Sequence, residues 1–367
     1  MANKTASEVV GALEAKLHVL TEAVDDGAVT SSLSAATGGV SIGSGATAGS
    51  LVVPKTWGSA PKDAISVAMT MFLTGANALE SGSVKLALCL SDGTATGEAP
   101  ASLCGELGAA ADTFATAAGV LDGDGAGAGA PLRQLVRTAA RRLLEALRAL
   151  CASLAKGDGK AAARSGVVWE AAEAVRKLPQ SNRVAYRREF LSWATELKDT
   201  IAEFADLVAA EKFSYDEVDC VDCGFGFGDD DDDAYDAAER PVAAGAVDCL
   251  RLLGATYKDV LVAMDEEGKR GDLTFVAKIY AAGVDVKAAA TALAEELYPP
   301  LDAPKLKGAL DGAKLRMAAV LDVLERRAPP AAPQQTQTPA PPAPPTARAK
   351  WEAKAAATEA LLAQLPQ

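Results

Sequence analysis

The chain has 367 residues, 23% charged and 49% hydrophobic, and aromatics make up only 5%. Its formal net charge is −13, but Glu211 to Glu239 holds 12 acidic residues against Lys212 alone, so this segment carries −11 and the rest about −2. A single histidine, six scattered cysteines and no uncharged apolar run of membrane-spanning length argue against a histidine-rich metal site, a disulfide framework and a transmembrane helix.

The N-terminus leads into an amphipathic stretch without the apolar core of a signal peptide, so a cytoplasmic or nuclear setting with reduced thiols is expected. In chain order, Val9, Leu13, Leu17 and Leu20 predict a helix over 5–26 within an N-terminal segment 1–35. A Gly/Ser-rich linker follows at 36–56. Pro61 opens a helical pattern with Ile65, Met69, Phe72 and Leu79, and a further helix or pair lies between Ser83 and Val120, broken by "SDGTATGEAP". "DGDGAGAGAP", Asp122 to Pro131, is expected to be a flexible break. Leu132, Val136, Ala139, Leu143, Leu147, Leu150 and Leu154 then give the clearest helical stripe. A helix from Lys160 to Leu178 stops at Pro179, and from Asn182 to about Lys212 the stripe Tyr186, Phe190, Trp193, Leu197, Ile201, Phe204, Val208 predicts a long one.

These helices form a predicted bundle over 57–213, followed by an acidic, disordered loop at 214–239. Helices over 240–327 complete or extend the bundle. Pro241 opens the first, Asp272 caps the second, and Asp302 ahead of Pro304 caps the third. A Pro-rich tail at 328–350 has no core-forming residues and reads as polyproline-like, and a short helix closes the chain at 351–367. No period-2 run is long enough for a strand, so the fold class is all-α, antiparallel bundles with flexible Gly/Ser, acidic and Pro-rich segments.

Residue supply argues against catalysis. His18 stands alone on its helix, and no nucleophile-elbow pattern accompanies it. "GSGATAG", "GDGAGAG" and "GDGKA" lack the Gly-Lys-Ser/Thr ending of a phosphate loop. Cys220 and Cys223 form a C-x-x-C without the second pair that structural zinc needs, and the aspartates after them would raise a thiol pKa. Asp229, Asp230, Asp231, Asp232 and Asp233 lack the spaced ligands of a calcium loop and read as a solvated segment that steers a basic partner. No cofactor or metal is expected. Arg133, Arg137, Arg141, Arg142 and Arg148 lie on one helix without interleaved aromatics, which favours a solvated face, or one that attracts the acidic loop, over a nucleic-acid site.

Three stretches carry a family resemblance. Ser165 to Phe204 holds Val168-Trp169-Glu170-Ala171, Lys177, Pro179 and Asn182. Glu296 to Glu325 holds Leu297-Tyr298-Pro299-Pro300 before a long helix. Trp57, and Phe72-Leu73-Thr74-Gly75 at the end of an early helix, form the third. Together they resemble the cyclin-D-binding (GCIP) family, plant members especially, over residues 55–327. The chain departs from the family in its Gly/Ser insertion, its Cys/Gly cluster and its Pro-rich tail, and Phe72-Leu73 stands where plant relatives tend to carry Trp. The resemblance implies a non-enzymatic helical regulator of cell-cycle progression and transcription. It would bind D-type cyclins and helix-loop-helix proteins and move between cytoplasm and nucleus, without contacting nucleic acid or membrane. An alternative is a cytoskeletal or signalling adaptor whose "PPAPP", Pro341 to Pro345, engages SH3 or WW domains.

Overall fold

The computed structural model describes residues 6–25, 51–58, 63–91, 98–210, 234–327 and 346–365. Asp229–Asp233, Cys220, Cys223, the Gly/Ser run 36–50 and the proline run 341–345 lie outside them. The described residues form ten helices and no strand, an all-α architecture. They divide into two compact units, Met1–Tyr186 and Arg187–Gln367.

Unit 1 contains α1 (Ala6–Asp25), α2 (Ala64–Ser91), α3 (Glu98–Asp122), α4 (Ala130–Lys156) and α5 (Ala161–Arg176), and the start of α6 (Asn182–Ala209). Helices α1, α2 and α4 bury most of the apolar stripe that their sequence spacing marks. In α4 Leu132, Val136, Leu143, Leu147 and Leu150 are all fully buried, and burial of this kind contributes roughly 1.5–3 kcal/mol per large side chain. The pairs α2–α3 and α1–α4 run antiparallel. Gly75 of α2 lies against Phe114 of α3 while Gly82 lies against Leu107, and Phe72 stacks on Phe114 with ring centroids 4.4 Å apart. Helix α1 runs against α4, with Ser7 Oγ donating to the Ala155 carbonyl at one end and Arg141 pairing with Asp25 at the other.

Two sequence readings change here. The stretch Phe72-Leu73-Thr74-Gly75 is the middle of α2, not its end, because the helix runs unbroken to Ser91. Ser83, where the sequence reading starts a further helix, is buried in mid-helix and bonds its own backbone, Oγ donating to the Glu80 carbonyl at 2.7 Å. The glycine run before α4 is also not a loose break. Ala126 and Ala128 are buried, and the Gly127 carbonyl accepts from Lys55 N at 2.9 Å. Gly129 is the N-cap of α4 with Pro131 in its first turn, and Gly157 ends the helix at φ +63, a conformation that favours glycine.

Unit 2 contains the rest of α6 with α7 (Glu239–Arg270), α8 (Leu273–Glu295), α9 (Ala303–Arg327) and α10 (Ala347–Leu362). Asp272 caps α8, its carboxylate accepting from Phe275 N at 2.9 Å. Asp302 accepts from Lys305 N at 3.1 Å at the start of α9. Phe190, Trp193, Tyr257 and Tyr280 form an aromatic core, with Phe190 and Trp193 edge to face at 4.7 Å. Phe190 also rests directly on Gly283, where a β-carbon would come within 2.7 Å of its ring. Helix α10 packs into the unit through buried Trp351, Ala355, Thr358 and Leu362. Its Thr358 sits over Gly245 of α7, and Glu359 pairs with Lys314 of α9 at 2.6 Å. No described helix is long and apolar enough to cross a membrane.

Candidate interaction surface

The residues that sequence reading singled out fall into three places. Trp57, Pro179 and Asn182 meet at one end of unit 1. Asn182 is fully buried and ties two chain segments together. Its Nδ2 donates to the Thr56 carbonyl at 2.6 Å and the Gly127 carbonyl at 3.1 Å, and its Oδ1 accepts from Gly129 N at 2.7 Å. The Trp57 carbonyl accepts from Arg183 N at 2.8 Å, and the indole lies 5.7 Å from the Tyr186 ring. Pro179 is buried beside this clasp. The arrangement satisfies backbone groups of the 55–57 and 127–129 segments, so its role is to hold α4, the start of α6 and the 55–57 segment in register. Gly127 and Gly129, which complete it, were read as loop residues in the sequence. The available clue was the Gly-Ala-Pro at 129–131, a helix-start signal.

Tyr298, Pro299 and Pro300 lie in unit 2. The Tyr298 hydroxyl donates to Glu203 Oε1 at 2.8 Å, its ring meets Phe204 at 4.9 Å, and the Pro299–Pro300 bond is cis. Next to them the buried Tyr235 hydroxyl donates to the Leu297 carbonyl, and burial raises its pKa.

Trp169 and Glu170 occupy the outer side of α5. Glu170 pairs with Arg142 at 2.8 Å. The Trp169 indole has no such anchor among the described residues, and Trp169 is 56% exposed. Arg176 reaches Asn77 and Glu80 of α2, so α5 and α2 lie side by side at that point. Two helical turns back along α5 from Arg176 is Trp169, and two turns on along α2 from Asn77 is Val84, followed a turn later by Leu88. Val84 is 43% and Leu88 63% exposed. The three are exposed apolar side chains on two helices that lie side by side. Exposed tryptophan beside exposed aliphatics marks a contact surface more than a core. Val84 and Leu88 were missed in the sequence, although each interrupts the polar side of α2.

The α4 arginines are held by neighbours. Arg133 pairs with Asp124 at 2.9 Å, Arg137 with Asp122 at 2.8 Å and Arg141 with Glu145 at 2.9 Å. Arg148 Nη1 lies 3.0 Å from His18 Nδ1. These partners absorb much of the basic face.

Residues 73–210 match the family model described as Grap2 and cyclin-D-interacting, N-terminal. That match, 138 of the 367 residues, supports membership of the GCIP family. No curated protein matches the chain. The GCIP match begins inside α2 and ends just after α6, so the Trp169–Val84–Leu88 strip and Asn182 both lie within it.

Among the described residues, no group of three or more His, Cys, Asp or Glu is placed to hold a metal ion. Burial pushes the Cys151 thiol up to about 12 and the Cys249 thiol up to about 11, and raises Cys104. Cys89 is only half-buried. Site-resolved alkylation of the native chain at pH 8 is therefore expected to label Cys89 while sparing Cys104, Cys151 and Cys249 until the chain is unfolded.

Proposed function

We propose that the chain is a non-enzymatic interaction protein that binds a D-type cyclin and helix-loop-helix partners, and through them restrains cell-cycle progression and transcription. It works in the cytoplasm and the nucleus. The observation that carries this reading is the coincidence of an exposed tryptophan-centred strip with the segment matched to a cyclin-D-interacting family. A helical bundle offers such partners a rigid, preformed face, and a central indole is the residue type most enriched among binding hot spots. Asp229 to Asp233 would add electrostatic steering of a basic partner, an effect on association rate that salt screens.

The test is a titration of the full chain against a D-type cyclin, beside the variants Trp169→Ala and Leu88→Ser. Each variant is expected to weaken binding by about tenfold or more, the scale of losing a hot-spot contact. Helicity and thermal unfolding should stay unchanged, because both side chains are already exposed. Wild-type affinity in both variants would remove the strip from the reading. No binding by the folded wild-type chain would remove the cyclin.

A further inference from the structure

Unit 2 contains a cavity of about 200 Å³ between α6 and α8, floored by α7. That is below the ~300–1,000 Å³ of pockets built for whole small molecules and suits a single side chain. Trp193, Tyr257, Phe204 and Tyr298 supply aromatic surface to it. Glu196, Glu203 and Glu295 bring three carboxylates against one cation, Lys287.

A cation already uses part of this chemistry. Lys287 Nζ lies 5.8 Å from the centre of the Trp193 ring and pairs with Glu196 at 2.9 Å. That bond, first among the causes, lowers the Glu196 pKa. Glu203 accepts from the Tyr298 hydroxyl. Neither contact engages Glu295, and Tyr257, only 2% exposed, lines the cavity without a hydrogen-bond partner among the described residues. A carboxylate and a hydroxyl are thus left as acceptors beside aromatic faces, in a space with a net negative lining.

We infer that this cavity receives one arginine side chain from a basic peptide segment of a partner protein. A guanidinium fits better than an ammonium. Its plane lies flat on an aromatic wall while its N–H fork reaches a carboxylate edge-on, so one group satisfies both features of the lining. Aromatic faces attract the same cation through their quadrupole. Lys287 is the internal competitor, since it holds Glu196 and Trp193 when no guest is present. The site is separate from the strip on unit 1, so it stands or falls independently of cyclin binding.

The experiment follows the Trp193 indole N–H resonance of the full chain, assigned with Trp193→Phe, as a short Gly/Ser peptide with one central arginine is added. A saturable shift is expected, absent with the neutral isostere citrulline in the same peptide. Glu295→Gln should weaken the arginine peptide by about tenfold, the scale of one charge-assisted hydrogen bond. Lys287→Gln should strengthen it, a gain that simple damage to the fold would not produce. No shift with arginine, an equal shift with citrulline, or binding unaffected by Glu295→Gln would each overturn the assignment.

Discussion

Asn182→Ala is expected to destabilise unit 1 by about 3–4 kcal/mol, because each buried polar group left unsatisfied costs roughly 1–3 kcal/mol. The side chain is fully buried and makes three hydrogen bonds across two segments distant in sequence. Two backbone groups lose their partners in the variant, Gly129 N–H and the Thr56 carbonyl. The Gly127 carbonyl keeps its bond from Lys55 N and is spared. Since domains are stable by only about 5–15 kcal/mol, the loss should be plain in denaturant unfolding followed by Trp57 fluorescence and in faster amide exchange at Gly129.

Asn182→Asp separates hydrogen bonding from packing. An ionised aspartate can still accept from Gly129 N–H, but it turns acceptor oxygens toward the carbonyls of Thr56 and Gly127. Protonation would restore one donor, so the folded pKa must lie above the unfolded value of about 3.9. The folded state then holds its proton over a range where the unfolded chain has lost it. Stability of the variant, relative to the parent, is therefore greatest below about pH 4 and is lost as pH rises through the folded pKa. A variant equally stable relative to the parent at pH 4 and pH 7 would show that the carboxyl does not occupy the clasp.

Much of this architecture was legible because helical periodicity is a local signal. Of the stripes from Leu132 to Leu154 and from Tyr186 to Phe204, all but the partly buried Leu154 and Ile201 are in fact buried, and Asp272 and Asp302 cap the helices they precede. What escaped the sequence depends on contacts between segments far apart. The glycines at 127 and 129 read as loop material, yet they are ordered through Asn182 and Lys55, more than fifty residues away in each case. The division between Tyr186 and Arg187, inside α6, was likewise hidden, because the apolar stripe continues through it. The candidate surface was half visible. Trp169 stood out as a motif residue, but Val84 and Leu88 enter the surface only because α2 packs beside α5, a contact made through Arg176.

Gly75→Ala provides the strongest test of how closely α2 and α3 approach. Alanine normally stabilises a helix interior by about 1 kcal/mol over glycine. At Gly75 the sign should reverse. The new β-carbon would lie 2.9 Å from Phe114 Cβ, 3.1 Å from its Cα and 3.3 Å from its N. Backbone atoms cannot rotate away as a side-chain tip can, so the two helices must separate and the Phe72–Phe114 stack must loosen. Overpacking of this kind costs about 1–3 kcal/mol, and the lost stack adds to it, so a net destabilisation of about 2 kcal/mol is expected. Gly82→Ala meets only the Leu107 side chain, at 2.7 Å, and should cost less because that side chain can shift. Gly11→Ala in α1 meets nothing within 4 Å and should stabilise by about 0.5–1 kcal/mol. The three variants, compared by urea unfolding of otherwise identical chains, should therefore rank with Gly11→Ala above the parent and Gly75→Ala lowest. If Gly75→Ala were as stabilising as Gly11→Ala, α2 and α3 would not pack through glycine at this point.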